Sequence, residues 1–211
     1  SAYREQVEGL LEGGVHLFMA ETLPALDQAR AAVTAIKSLS DLPIVVSLTF
    51  TEEGTTFYGD RPEDLVRAGE EWGVAVVGAN CSQGPQPMLE TVQRMAAAAK
   101  TVKVSAMPNA GAPAMVDGRY VYLCTPEYMA EYARRFLAAG VTLVGGCCGT
   151  TPAHIKNLVR SVRMLQPARQ VVAVLPPRRP KEAPQPIPRE QKSALGRKLG
   201  RKFVVSVELD P

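Results

Sequence analysis

No run of apolar residues in this chain approaches the roughly 18 that a membrane-spanning helix needs. No charged-then-apolar leader opens it, so nothing points to secretion, and its first residue is not Met. The pairing of low hydropathy with high charge that marks a wholly disordered chain is also missing: of 211 residues, 46% are hydrophobic and 21% charged. These absences leave a globular, cytoplasmic chain, long enough for one domain and a little more.

Charge is present but unevenly spread. Residues 1–150 carry 11 Lys and Arg against 17 Asp and Glu, whereas residues 151–211 carry 13 against 4. A basic stretch of this kind can be a nucleic-acid footprint. Here it coincides with Pro176, Pro177, Pro180, Pro184, Pro186 and Pro188 and lacks interleaved aromatics. An extended, solvated linker over 167–201 is the better reading. No nucleic acid and no membrane are expected among the partners.

Ahead of that linker two textures alternate. Short β-rich runs lie at Val15–Ala20, Ile44–Phe50, Val74–Ala79, Val102–Met107 and Val141–Val144. Helix-like stretches lie at Leu26–Leu39, Pro62–Trp72, Met88–Lys100, Pro126–Ala139 and Pro152–Leu165. Asp60-Arg61-Pro62-Glu63 and Thr125-Pro126-Glu127 each set a capping residue and an early Pro before an apolar stripe. Gly73 and Gly140 stand where a left-handed cap would close a helix. The pattern is β-α five times over at about 30 residues per unit, the spacing of βαβ units. The runs are apolar on both faces, as in a covered parallel sheet. An open doubly wound sheet and a (β/α)8 barrel both fit. No Gly-x-Gly-x-x-Gly follows the first run, which weakens a dinucleotide-binding sheet.

There are four cysteines, Cys81, Cys124, Cys147 and Cys148. Without a leader they point to metal or catalytic chemistry before a disulfide scaffold. In parallel α/β folds functional groups collect at the C-terminal ends of strands. Those ends read Ala20-Glu21-Thr22, Gly78-Ala79-Asn80-Cys81, Met107-Pro108-Asn109-Ala110-Gly111 and Gly145-Gly146-Cys147-Cys148-Gly149. Three thiolates with a fourth position open suit a catalytic zinc, and the glycines let the backbone turn sharply enough for Cys147 and Cys148 to face one ion. On spacing alone, ordinary buried thiols and a vicinal disulfide stay open beside zinc.

Gly-Ala-Asn-Cys at 78–81 and Gly-Gly-Cys-Cys-Gly-Thr-Thr-Pro-x-His-Ile at 145–155 together resemble the zinc-dependent homocysteine S-methyltransferase family. Phe18-Met19-Ala20-Glu21-Thr22, Ser47-Leu48-Thr49-Phe50 and Pro108-Asn109-Ala110-Gly111 add to the match. The resemblance implies a (β/α)8 TIM barrel and three zinc ligands, Cys81, Cys147 and Cys148. It implies that Glu21 holds the homocysteine amino group, with Asn80 and Asn109 as further substrate-side residues. His154 reads as structural or solvent-facing, His16 as a strand residue and Cys124 as ordinary. The family's Asp-Gly-Gly motif on its first strand is missing. Residues 1–166 are therefore expected to be the C-terminal five βα units, from the fourth strand onward, and inactive alone.

Phe203–Pro211 resembles the opening strand of methylenetetrahydrofolate reductase, with Glu208 as that domain's acid and FAD as its cofactor. The expected reaction in the parent protein is zinc-dependent methyl transfer to the homocysteine thiolate, giving methionine. Methylfolate, methylcobalamin, S-methylmethionine and betaine are the candidate donors. The alternatives are the homocysteine domain of a cobalamin-dependent methionine synthase and a non-catalytic remnant with a structural or redox-sensing zinc.

Overall fold

The computed structural model describes residues 2–164. The expected linker at 167–201, the strand at 202–211 and Glu208 lie outside the described residues. The elements are α1 (Ala2–Glu12), β1 (Phe18–Leu23), α2 (Leu26–Lys37), β2 (Ile44–Leu48), α3 (Pro62–Trp72), β3 (Val76–Asn80) and α4 (Pro85–Ala98). After them come β4 (Lys103–Met107), β5 (Pro113–Val116), β6 (Arg119–Tyr122), α5 (Pro126–Ala138), β7 (Leu143–Val144) and α6 (Pro152–Arg163).

Five strands form one parallel sheet in the order β1-β2-β3-β4-β7. Neighbours in the sheet are neighbours in the chain once the β5-β6 hairpin is set aside. A doubly wound sheet must reverse its strand order to put helices on both faces, and no reversal occurs among the described strands. Every residue of β2 is buried, as a central parallel strand requires. Val46, Leu48, Val77, Leu65, Val66, Val92 and Met95 are wholly enclosed. Burying each such side chain contributes about 1.5–3 kcal/mol before entropy is counted. A second cluster of Met129, Ala133 and Leu158 seats α6 on α5. Among the described residues no helix is long and apolar enough to cross a membrane.

Local signals explain most boundaries. Gly73 closes α3 in the left-handed conformation, with φ 60°, and the Thr125 side chain accepts from Tyr128 N–H at 3.2 Å to open α5. Asp60 does not cap α3, however. Arg61 is the N-cap, its N–H bonded to Asp64 Oδ2 at 3.0 Å. Asp60 Oδ2 instead accepts from Leu26 N–H at 3.0 Å and so serves the first turn of α2.

Two elements and several boundaries differ from the sequence reading. Helix α1, with Val7 its one buried residue, was not expected. The first strand starts at Phe18, because its ladder begins where Phe18 pairs Ile44, and His16 lies outside it, exposed. Helix α4 starts at Pro85, since a proline in the first turn gives up only an N–H that no helix bond needs. The β5-β6 hairpin turns through Asp117 and Gly118, at φ 48° and 74°, a two-residue turn of the kind that Asp-Gly favours.

Candidate metal centre

Because β3, β4 and β7 run parallel, the residues after their C-terminal ends share one edge of the sheet. Cys81 follows β3, Cys147 and Cys148 follow β7, and the loop after β4 lies between them and stitches them together. Cys81 N–H donates to Met107 O at 3.1 Å, and Cys147 N–H to Pro108 O at 2.8 Å. Ala110 N–H donates to Cys148 O at 2.8 Å, and Asn109 N–H to Gln83 O at 2.9 Å. The Asn109 side chain completes the set, its Oδ1 accepting from Cys148 N–H at 3.1 Å. Asn109 is buried, so its side chain is spent on the loop.

Local conformation aims the sulfurs. Cys81 and Ser82 are both left-handed, with φ 59° and 56°, as is Thr22 at 60°. Such conformations in non-glycine residues cost of order 1–3 kcal/mol each and persist only where the surroundings hold them. The three sulfurs of Cys81, Cys147 and Cys148 all lie within 4.8 Å of one another. Cys81 Sγ and Cys148 Sγ are 3.7 Å apart, and all four cysteines are free thiols. Metal–sulfur bonds of about 2.3 Å at tetrahedral angles set sulfurs about 3.8 Å apart. The spacing fits a shared zinc-like ion and is far too long for a disulfide bond.

The electrostatics agree with the donor set. The Cys147 thiol is pushed up to about 12, first by burial and then by the charge of Cys81. A hydrogen bond from the Asn80 side chain opposes that rise. Three thiols this close resist ionising together unless a cation offsets their charge. Soft sulfur donors select zinc over the hard cations that oxygen ligands hold.

Asn80 is wholly buried. Its Oδ1 accepts from Thr22 N–H at 2.8 Å, and its Nδ2 donates to Thr22 Oγ1 at 2.7 Å. The same Nδ2 faces Cys147 Sγ at 3.8 Å. Glu21 is exposed at the C-terminal half of β1, toward the sheet edge that carries the cysteines. Cys124 stands apart, its Sγ donating to Thr125 O at 3.6 Å. His154 is buried rather than solvent-facing. It accepts from Thr151 N–H at 3.1 Å through Nδ1, which leaves Nε2 to donate to Cys124 O at 2.9 Å. It is a structural residue that ties α6 to the segment ahead of α5.

Tyr122, at the end of β6, was not anticipated. Its phenol is pushed up by burial, by the charge of Cys148 and hydrogen bonding to it, and by the charges of Cys81 and Cys147. Its ring lies beside Gly149, the residue that follows Cys148. Gly149 makes room for it: a Cβ there would come within 2.2 Å of the Tyr122 ring. The Asp117-Gly118 pair was the one sequence signal for this hairpin.

Three thiols converging at the C-terminal edge of a parallel α/β sheet are a donor set that could hold a soft metal ion. The sequence profile of the homocysteine S-methyltransferase family matches residues 1–162, and the chain belongs to that family. Methionine synthase of Mycobacterium tuberculosis (strain ATCC 25618 / H37Rv) is 36% identical over 177 residues, covering 81% of this chain and 15% of that protein. The chain thus spans a small part of this relative's length. The homocysteine methyltransferase MmuM from Escherichia coli shares the fold. Its apo form gives a TM-score of 0.62 at 24% identity, covering 76% of this chain and 56% of that one. Its metallated form gives 0.60 at 24% identity, covering 77% and 51%.

Proposed function

We propose that this chain is the homocysteine-binding, zinc-holding part of a cytoplasmic enzyme that methylates the homocysteine sulfur to give methionine. The observation that carries this reading is the convergence of three free thiols on one point at the sheet edge. Family membership supports it. So do the names of the relatives, a methionine synthase and a homocysteine methyltransferase with a metallated form. We read the five parallel strands as the fourth strand onward of a (β/α)8 barrel, on the strength of their unreversed order.

Cys81, Cys147 and Cys148 would hold the zinc. When bound, zinc would lower the pKa of the substrate thiol so that the thiolate forms near neutral pH. Glu21 pairs its carboxylate with the substrate ammonium and thereby directs the sulfur for in-line attack on the methyl carbon. The sulfur–carbon bond forms as the donor–carbon bond breaks, and the electron pair leaves with the donor. Asn109 keeps the Cys148 backbone in place, so the thiols need not reorganise when substrate arrives.

A closed structural or redox-sensing site would need a fourth thiolate. Cys124, the one cysteine left over, directs its sulfur to Thr125 O, which favours the open, catalytic site. For the donor, the resemblance of Phe203–Pro211 to a reductase strand favours methylfolate, with Glu208 and FAD belonging to that further domain. Methylcobalamin, S-methylmethionine and betaine are the alternatives.

X-ray absorption on the full-length protein tests the main reading. One zinc with three sulfur neighbours, gaining a fourth on adding homocysteine and lost in Cys81→Ser, is the expected result. A four-sulfur shell indifferent to homocysteine would overturn it. A bound flavin in the same preparation would bear on the methylfolate route.

A further inference from the structure

Asn80 immediately precedes Cys81 and is wholly buried. Its amide is nonetheless almost fully used. The carbonyl oxygen takes Thr22 N–H at 2.8 Å, and the NH2 group serves Thr22 Oγ1 at 2.7 Å and Cys147 Sγ at 3.8 Å. The orientation of the amide is determined, because only its oxygen can accept from a backbone N–H. Thr22 is the residue that needs holding. It is β-branched and sits at φ 60°, a conformation such residues rarely adopt. The β1-β2 ladder shifts register between Ala20 and Leu23, across Glu21 and Thr22. Irregularities of this kind re-aim the side chains they carry.

We propose that Asn80 is a positioning residue that sets the spacing between the ammonium-binding carboxylate of Glu21 and the sulfur centre. One arm of its amide locks the irregular turn that aims Glu21. The other donates to Cys147 and keeps that sulfur in register with the carboxylate. Recognition of the amino group and placement of the sulfur are then coupled through one buried side chain joining strands β1 and β3. The proposal rests on the homocysteine reading above.

The test compares homocysteine with 4-mercaptobutanoate, the same molecule without its amino group. Binding of each to the full-length protein is followed by the sulfur-to-metal charge-transfer band after cobalt substitution. In the unaltered protein the amino group strengthens binding. In Asn80→Ala the preference for homocysteine falls at least tenfold, whereas 4-mercaptobutanoate changes less. Cobalt affinity, read by chelator competition, falls tenfold or more because the amide no longer supports Cys147.

Adding Thr22→Gly, which makes the left-handed turn free of strain, restores the preference for the amine but not the metal affinity. A folded, metal-loaded Asn80→Ala protein with an unchanged preference would overturn the proposal. Should Asn80→Ala not fold, Asn80→Asp keeps the Thr22 N–H acceptor and removes both donated bonds. Its metal affinity must then fall, and an unchanged value would overturn the proposal as well. Failure of the unaltered protein to bind homocysteine would instead overturn the functional reading.

Discussion

Cys147 carries its proton to about 12 because burial and the neighbouring Cys81 both oppose a second negative charge. A metal ion must displace that proton. Zinc affinity should therefore rise with pH across the neutral range, by about tenfold per unit for each proton released. Chelator competition at several pH values measures the slope, and a flat profile would contradict a three-thiol site. Gly149 offers a second test, since it combines φ 76° with a Tyr122 ring 2.2 Å from any added Cβ. Gly149→Ala should cost about 2–4 kcal/mol of unfolding free energy, from overpacking on top of backbone strain. Gly118→Ala is the comparison: its φ is 74° but nothing lies within 4 Å, so it pays the backbone strain alone. Equal urea midpoints for the two variants would refute the contact between Gly149 and the hairpin.

Elements hold one another through polar contacts as well as apolar ones. Arg94 on α4 grips Glu63 on α3 through two bonds of 2.7 and 2.9 Å, and also donates to Gly54 O at 3.0 Å. The Arg94 guanidinium holds the Glu63 carboxyl below its ordinary range. A carboxyl lowered in the folded state adds stability above its unfolded pKa, and that stability is lost as pH falls through the folded value. Glu63→Gln should therefore lower stability at neutral pH and reduce the loss on acidification below about pH 4.5, the ordinary range of a Glu. Melting curves from pH 7 to 3 decide this. Thr125→Ala removes the acceptor at the start of α5 and should cost about 1 kcal/mol.

The starts of α3, α5 and α6 were legible in the sequence, each from a proline in the first turn, whereas the same signal at Pro85 was passed over for α4. The hairpin was not legible. Pro113–Val116 and Arg119–Tyr122 are four residues each and largely exposed, so no apolar alternation announces them, and only the Asp-Gly turn does. Strand β7 has two residues, yet it was readable because a glycine-bounded apolar run precedes the cysteines.

At the scale of the whole described sheet, β1 and β7 are the two edges. Leu17 and Met19 lie exposed at the β1 side. An edge of this kind invites pairing with another chain. Residues 1–211 alone should associate as concentration rises, and Met19→Lys should reduce that association in sedimentation experiments. Unchanged sedimentation would mean that this edge is not the route of association.

The sequence by itself determined the βα alternation, the starts of α2, α3, α5 and α6, and the two cysteine motifs, because these rest on short-range spacing, capping and backbone sterics. It also pointed to Asn80 and Asn109, though not to what they do. Only the tertiary structure decided that both amides face inward to hold loops, that the Tyr122 ring packs beside Gly149, and that the strand order runs without reversal among the described strands. Cys81 and Cys148 are 67 residues apart in the chain and 3.7 Å apart in space. That closeness comes from parallel pairing of β3 and β7 with the strand between them, a non-local outcome of burying both faces of the sheet that no local spacing encodes.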